Sequence, residues 1–215
     1  MFNCRPLAAK VVEGLFLQLF FRDFIVKFGL WLRTLLFPFY PISATTMPIE
    51  IEVKNEQQTD ILGRVLAKAL PDGTVVALLG TLGAGKTRLV QAIAQASGID
   101  REEVGSPTFV LIKEYRGSSR PIYHFDAYRL RDVSDFLELG PDEYFDSDGL
   151  SFVEWADRVE DALPRDYLEI SVLPVDVTSR RFTITARGDF NPELETLILE
   201  RWQRASRPHP KNGEL

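Results

Sequence analysis

The sequence predicts an α/β fold in which a mostly parallel β-sheet is sandwiched by helices. Three observations lead to this prediction. Apolar segments of strand length alternate along the chain with segments of helical periodicity. Residues 74–79 form a continuous apolar run, as expected of a parallel strand that is buried on both faces. This run is followed by a glycine-rich loop and a helix, an order typical of parallel sheets with crossover helices.

Local patterns place the individual elements. We predict helices at residues 59–70, with Thr59 as the cap, at 86–97, across the acidic stretch 133–145, and at 191–206, where Asn191 and Pro192 open the helix. The predicted strands are short apolar or alternating segments at residues 49–53, 74–79, 109–115, 122–125, 150–153, 167–172 and 181–186.

Composition and charge are those of a globular protein. The chain has 215 residues, of which 45% are hydrophobic and 26% charged, and its formal net charge is −6. Proteins that coat nucleic acid are usually basic, so this acidity argues against that class, although it allows contact with RNA through a partner. Cys4 is the single cysteine and forms no internal disulfide, which favours a reducing, cytoplasmic location.

The glycine-rich loop predicts a phosphate-binding site. Residues 80–87 have the sequence Gly-Thr-Leu-Gly-Ala-Gly-Lys-Thr, which matches the P-loop pattern G-x-x-x-x-G-K-[ST] between a strand and a helix. Glycines let successive backbone N–H groups face the phosphates, and the helix adds the positive end of its dipole. The sequence therefore predicts a P-loop NTPase-like fold that binds a nucleoside triphosphate and magnesium. Lys86 should reach the β- and γ-phosphates, the Thr87 hydroxyl should bind magnesium, and the other contacts should come from Gly80, Gly83, Ala84 and Gly85.

Two acidic residues are candidates for the second group on the magnesium side. Glu154 follows the apolar run at residues 150–153, and Asp126 follows the run at 122–125. The carboxyl ends of parallel strands meet at one edge of a sheet, where ligands bind. Both carboxylates, together with Lys86, are therefore candidate catalytic residues.

Three other polar segments have weaker interpretations. Ser106-Pro107-Thr108 precedes a strand and is a candidate switch segment that senses the γ-phosphate. His124 is interpreted as a histidine of the strand rather than as a base, because the sequence names no partner for it. The segment 146–149, Asp-Ser-Asp-Gly, is interpreted as a turn.

Four motifs in order resemble those of the TsaE (YjeE) family. They are G-x-L-G-A-G-K-T at residues 80–87, S-P-T-F at 106–109, H-F-D-x-Y-R at 124–129 and V-E-W at 153–155. The resemblance covers roughly residues 47–188, and the four motifs together are far more specific than the P-loop alone. Proteins of this family are small bacterial ATPases that are needed to make threonylcarbamoyladenosine beside the tRNA anticodon.

The resemblance implies ATP and Mg²⁺ as cofactors and TsaD and TsaB as partners, with tRNA met only indirectly through that complex and no membrane involved. It implies that Lys86 binds phosphate, that Thr87 and Glu154 serve magnesium, and that Asp126 is important for hydrolysis. It also implies that Trp155 lies by the nucleotide, that residues 56–59, with Thr59, help to enclose the adenine, and that Ser106 and Thr108 belong to the switch-like loop.

Two positions depart from the family pattern. Thr81 stands where an aspartate is common, and Arg88 stands where a second hydroxyl residue usually follows the P-loop threonine. We expect Arg88 to contact the nucleotide as a bulky cation near the α-phosphate, with an effect on the turnover rate.

The first 46 residues differ from the rest of the chain. They carry five basic residues and two acidic ones. The segment at residues 15–37 is rich in Leu and Phe, but Arg22, Asp23, Lys27 and Arg33 interrupt it, so neither a membrane span nor a clean amphipathic face is predicted. We expect Met47 to be the true first residue of the protein and residues 1–46 to be assigned to it in error. The alternative is an extension that binds a membrane surface or a partner.

The remaining regions are a P-loop ATPase domain at 47–190, a C-terminal helix at 191–206 and a disordered tail at 207–215.

The P-loop is also compatible with two other functions. A small P-loop kinase would need an acceptor pocket and an arginine-bearing lid, and no insertion of that kind stands out in the sequence. A non-catalytic, nucleotide-gated interaction module would bind ATP without turning it over. The main expectation is a partner-dependent ATPase.

Overall fold

The structure, a computed structural model, describes residues 48–117, 119–191 and 193–207. The predictions for the extension at residues 1–46 and for the tail beyond Arg207 lie outside the described residues.

The described residues form one seven-stranded sheet. Its strands are β1 (Ile49–Val53), β2 (Val75–Leu79), β3 (Ile112–Arg116), β4 (Pro121–Asp126), β5 (Leu150–Glu154), β6 (Tyr167–Pro174) and β7 (Arg180–Arg187). Their order in the sheet is β1-β7-β6-β2-β5-β4-β3. Neighbouring strands are parallel from β6 through β2 and β5 to β4, and the pairs β1–β7, β6–β7 and β3–β4 are antiparallel. Five of the seven strands consequently point in one direction, which confirms the prediction of a mostly parallel sheet.

Helices cover both faces of this sheet, as predicted. The helices are α1 (Glu56–Ala69), α2 (Lys86–Ala96), α3 (Val133–Leu137), α4 (Pro141–Phe145) and α5 (Glu193–Ala205), with 3₁₀ turns at Arg101–Glu103, Ala156–Arg158 and Glu160–Ala162. Among the residues that the structure describes, no helix combines the length and the apolar character needed to cross a membrane.

Two hydrophobic clusters fix the layers. The larger cluster joins one face of the sheet to α1, α2 and α5 through side chains such as Leu66, Ile93 and Ile198. The smaller cluster packs Phe125 and Val153 of the opposite face against Phe136 of α3. Burial of this apolar surface stabilises the sheet and holds the carboxyl ends of its central strands in place.

The helix α1 begins three residues earlier than predicted. Asn55 rather than Thr59 is the cap, because the Asn55 side chain accepts a hydrogen bond from the backbone N–H of Gln58. Thr59 lies inside the helix and is buried. Gly63 faces α2, where an added Cβ would lie 2.4 Å from Cβ of Ala92. The close approach of the two helices therefore requires glycine at this position.

Two other boundaries differ from the prediction. The acidic stretch forms the two short helices α3 and α4 instead of one helix, because Gly140 adopts φ = +65° between them. The strand β3 begins at Ile112, since residues before it form a turn in which the Pro107 carbonyl accepts the N–H groups of Val110 and Leu111. This turn places the Ser106-Pro107-Thr108 segment beside the end of β4.

Candidate nucleotide-binding site

The P-loop lies at the carboxyl end of β2, in the centre of the sheet. β2 is hydrogen-bonded to β5 on one side and to β6 on the other, and α2 begins at Lys86. Gly80 adopts φ = +139°, and an added Cβ would lie 2.5 Å from the carbonyl oxygen of Val172. Gly85, directly before the helix, adopts φ = +114°. The loop conformation thus depends on glycine at both ends.

Two neighbouring clefts surround this loop. The first, of about 620 Å³, brings together most of the residues that the sequence assigns to the nucleotide, and its lining includes Gly83, Ala84, Gly85, Lys86, Thr87, Arg88, Ser106, Thr108, Asp126, Glu154 and Trp155. The second, of about 510 Å³, contains Thr59 and shares Gly83, Gly85 and Arg88 with the first. Gly80 lies at the base of the loop and lines neither cleft.

The Lys86 side chain is buried against the loop. Its Nζ atom donates hydrogen bonds to the carbonyl oxygens of Gly80, at 2.7 Å, and Thr81, at 3.1 Å. The same atom lies 3.9 Å from the centre of the Trp155 ring, a cation–π distance. Burial lowers the pKa of the Lys86 ammonium, and the nearby carboxylates of Glu154, Asp126 and Asp157 partly offset this effect. Lys86 is therefore a partly desolvated cation at the P-loop.

The two carboxylates meet because their strands are in register. Asp126 of β4 is paired with Glu154 of β5 in the parallel ladder, and both side chains are buried. Each carboxylate nevertheless has its own set of partners. The sequence could place both residues at one sheet edge, but the register sets them side by side.

Glu154 is bound to the P-loop threonine. The Thr87 hydroxyl donates to Oε1 of Glu154 at 2.5 Å, and Nε2 of His124 lies 2.8 Å from the same oxygen. The described residues contain no group of three or more His, Cys, Asp or Glu side chains that could hold a metal ion by themselves. One hydroxyl and one carboxylate fit magnesium, which takes oxygen ligands and usually completes its shell with water and substrate phosphates.

Asp126 is bound to the candidate switch segment. Its Oδ2 atom accepts hydrogen bonds from the hydroxyls of Ser106, at 2.8 Å, and Thr108, at 2.6 Å. Its Oδ1 atom accepts the backbone N–H of Tyr128 at 2.9 Å. The structure thus connects the Ser-Pro-Thr segment to the end of β4, while Glu154 is connected to the P-loop.

Trp155 turns the chain away from the sheet directly after Glu154. It adopts φ = +57°, an uncommon conformation for a residue other than glycine, and its backbone N–H donates to the carbonyl of Leu78. Its ring contacts Nζ of Lys86, and the centre of the ring lies 4.9 Å from the centre of the Tyr128 ring. The strained turn therefore places an aromatic wall beside Lys86.

Arg88 joins α2 to α1 at the boundary of the two clefts. Its Nη2 atom donates to the carboxylate of Asp60 and, at 3.2 Å, to the carbonyl of Glu56. Its Nε atom lies 3.4 Å from the Glu56 carboxylate, which Arg101 also contacts at 3.2 Å. The guanidinium expected near the α-phosphate is thus held by acidic groups of α1 and forms part of the cleft wall.

Two residues that donate hydrogen bonds to the loops of the site were not predicted from the sequence. Nε of Arg180 donates to the Ala84 carbonyl in the P-loop at 2.9 Å, across 96 positions of sequence. The hydroxyl of Tyr115 donates to the carbonyl of Gly105, next to the switch segment, at 3.1 Å. Neither residue belongs to a recognised motif, and only the pairing of the strands brings them to the loops.

Comparison with known proteins gives concordant matches. Residues 53–182 match the family model described as threonylcarbamoyl adenosine biosynthesis protein TsaE. The tRNA threonylcarbamoyladenosine biosynthesis protein TsaE of Bacillus subtilis is 41% identical over 135 residues, which are 63% of this chain and 84% of that protein. The protein of the same name in Treponema pallidum is 37% identical over 131 residues, 61% of this chain and 96% of that protein.

A solved structure agrees with these matches. The crystal structure of YdiB from Bacillus subtilis has a TM-score of 0.58 and 30% sequence identity, and the match covers 75% of this chain and 97% of that one. The fold therefore matches over nearly the whole of the solved chain, and the matched family model spans both the P-loop and the carboxylate pair. This chain belongs to the TsaE family.

Proposed function

We propose that this chain is a cytoplasmic, magnesium-dependent ATPase that supports the formation of threonylcarbamoyladenosine in tRNA. The observation that carries the proposal is the contact between the Thr87 hydroxyl and the Glu154 carboxylate beside the buried Lys86. A P-loop cation, a hydroxyl and a carboxylate at adjacent strand ends form the set of groups that P-loop NTPases use on a triphosphate. The role in tRNA modification rests on family membership and on the names of the relatives.

Each group has a defined task in this proposal. Lys86 exchanges its loop carbonyl partners for the β- and γ-phosphate oxygens, and the loop N–H groups bind the phosphates beside it. Thr87 and Glu154 would hold magnesium, directly or through water, and the ion would supply positive charge that offsets the negative charge of the phosphates during hydrolysis. Trp155 excludes water from the lysine, which strengthens its interaction with phosphate.

We assign hydrolysis to Asp126. A carboxylate at this position can accept a hydrogen bond from the attacking water and orient it. Its present partners, the hydroxyls of Ser106 and Thr108, belong to the segment that we propose as a sensor of the γ-phosphate. Movement of that segment would change the partners of Asp126, so nucleotide state and hydrolysis would be linked.

The base is assigned to the second cleft. Asn55, Glu56 and Thr59 from the start of α1 line it, together with Phe182 of β7. Because this cleft shares Gly83 and Gly85 with the phosphate cleft, one nucleotide can extend from one to the other. The adenine then lies against α1, and Arg88 lies between base and phosphates.

The proposed partners are TsaD and TsaB. P-loop enzymes often receive positive charge for the transition state from a partner, with effects of about 10³ to 10⁵ in rate. Within the first cleft, Arg88 is occupied by acidic residues and Arg129 lies over the Phe109 ring at 4.4 Å. The net charge of −6 fits a protein that meets tRNA only through a complex, since direct binding relies on basic surfaces.

The test is a steady-state ATPase assay with and without the organism's own TsaD–TsaB pair. We expect binding of Mg-ATP, slow hydrolysis by the isolated chain and faster hydrolysis with the pair. Phosphate transfer to nucleosides or other small acceptors would indicate a kinase. ATP binding with no turnover in the presence of both partners would indicate a nucleotide-gated interaction module.

A further inference from the structure

We propose that His124 is a positioning residue for the magnesium site, which fixes the Glu154 carboxylate by donating a hydrogen bond to one of its oxygens. The inference rests on the proposed function, because it assigns a residue to the same site. Its observation is a separate one: a fully buried histidine on β4 lies 2.8 Å from Oε1 of Glu154 on β5.

The direction of this hydrogen bond follows from the chemistry of the two groups. An ionised carboxylate only accepts hydrogen bonds, so Nε2 of His124 must carry the proton. The second ring nitrogen, Nδ1, is buried and has no hydrogen-bond partner among the described residues. A proton on Nδ1 is a buried donor without an acceptor among the described residues, whereas a proton on Nε2 has the Glu154 oxygen as its acceptor.

This bond determines which oxygen of Glu154 is left for the cation. Both hydrogen bonds that the described residues make with the carboxylate, from Thr87 and from His124, go to Oε1. Oε2 is then the oxygen available to magnesium or its water. Because Thr87 of α2 and His124 of β4 both donate to it, the carboxylate has a fixed orientation before nucleotide binds. In other metal sites, residues that hydrogen-bond to the metal ligands orient them in the same way.

Two alternative roles for His124 account less well for its contacts and its burial. A general base needs a free lone pair directed at water, but Nε2 is engaged with Glu154 and Nδ1 is buried. A purely structural residue at a fully buried strand position is usually apolar. A polar ring that contacts the proposed magnesium ligand, within a site of defined chemistry, favours the positioning role.

The test compares four variants by two measurements. His124→Gln keeps a donor of similar reach, His124→Asn keeps a polar but shorter side chain, and His124→Leu removes the donor. Ile122→Ala is the matched control, because Ile122 is buried on the same strand and faces the same side. The measurements are the affinity for a non-hydrolysable ATP analogue in EDTA and the magnesium concentration that half-restores full affinity.

We expect His124→Leu and His124→Asn to raise the magnesium midpoint about tenfold, the lower end of the range for groups that orient metal ligands. Affinity in EDTA should stay within about twofold of wild type, since the phosphate contacts are intact. His124→Gln should restore most of the wild-type midpoint. Ile122→Ala should lower the unfolding temperature by creating a cavity but leave the midpoint unchanged.

Three results would overturn the inference. One is a magnesium midpoint in His124→Leu equal to that of the wild-type protein. Another is a shift of the magnesium midpoint in the Ile122→Ala control as large as the shift in His124→Leu. If the leucine variant does not fold, the Gln and Asn variants decide, and equal midpoints for these two variants would overturn it. A wild-type protein whose nucleotide affinity ignores magnesium would instead contradict the proposed function itself.

Discussion

Oγ1 of Thr87 lies 2.5 Å from Oε1 of Glu154, although the two residues are 67 positions apart in the sequence. The contact joins the first residues of α2 to the end of β5, and it exists because β2 and β5 are adjacent parallel strands. Asp126 lies beside Glu154 in the ladder but binds Ser106 and Thr108 instead. The two carboxylates therefore differ in their partners, and they should differ in their effects.

Substitution of each carboxylate by its amide tests this division. Glu154→Gln should raise the magnesium concentration needed for activity, because it removes the negative charge on the metal side. Asp126→Asn should slow hydrolysis while nucleotide binding and the magnesium midpoint remain close to wild type. Titration of magnesium against both activity and binding distinguishes them. A shifted midpoint in Asp126→Asn together with a normal one in Glu154→Gln would mean that the roles are reversed.

Removal of the Lys86 cation should affect chemistry far more than folding. Lys86→Ala should lower turnover on the order of 10²-fold or more, as the loss of one preorganised electrostatic contact does. The unfolding temperature without nucleotide should barely change, while its rise on addition of Mg-ATP should shrink. Calorimetry and an ATPase assay on the same preparation check both effects, and full activity in the variant would refute the assignment.

The pKa of Lys86 also predicts how the proposed ATPase activity depends on alkaline pH. Burial lowers this pKa, so the cation is lost at a pH below the ordinary lysine value of about 10.4. Since kcat/KM reports the ionisation of the free enzyme, kcat/KM should fall as the pH rises through this lowered pKa. Lys86→Arg keeps its charge to higher pH. If the alkaline limb stayed at the same pH in that variant, a different group would be responsible for it.

Arg180 should matter for nucleotide affinity although it lies outside every motif. Arg180→Met removes the hydrogen bond to the Ala84 carbonyl, and such charged hydrogen bonds contribute about 1.5–3 kcal/mol. We expect ATP affinity to fall about tenfold, since only part of that free energy acts on the loop. The control is Arg181→Met, because Arg181 is the next residue of β7 and pairs with Glu52 at 3.6 Å. Equal effects in the two variants would argue against a specific role for Arg180.

The sequence was sufficient to predict the features that depend only on residues close together in the chain. The P-loop and its flanking strand and helix are determined by adjacent residues, and the alternation of apolar segments predicted the type of sheet. It also placed Asp126 and Glu154 at strand ends, since each directly follows an apolar run. The loop pattern and the apolar runs were sufficient for these predictions because neither depends on distant residues.

The sequence was insufficient for features that depend on residues far apart in the chain. It was also insufficient where two nearby side chains could each cap the same helix. Thr59 has the residue type of a cap, but Asn55 takes that role and extends the helix. His124 lies in a strand, as predicted, but its partner Glu154 is 30 positions away and could not be named from the sequence. Arg180 and Tyr115 reach their loop carbonyls only after strand pairing. No short pattern encodes such contacts.

We expect ATP hydrolysis at the P-loop to drive this chain's part in tRNA modification. This is tested by measuring the amount of threonylcarbamoyladenosine formed in tRNA by the organism's own TsaD–TsaB pair, with ATP hydrolysis followed in the same reaction. With wild-type chain we expect both the modified nucleoside and faster ATP hydrolysis. With Lys86→Ala we expect both to fall together. Undiminished modification in the presence of a Lys86→Ala chain that no longer hydrolyses ATP would contradict the claim.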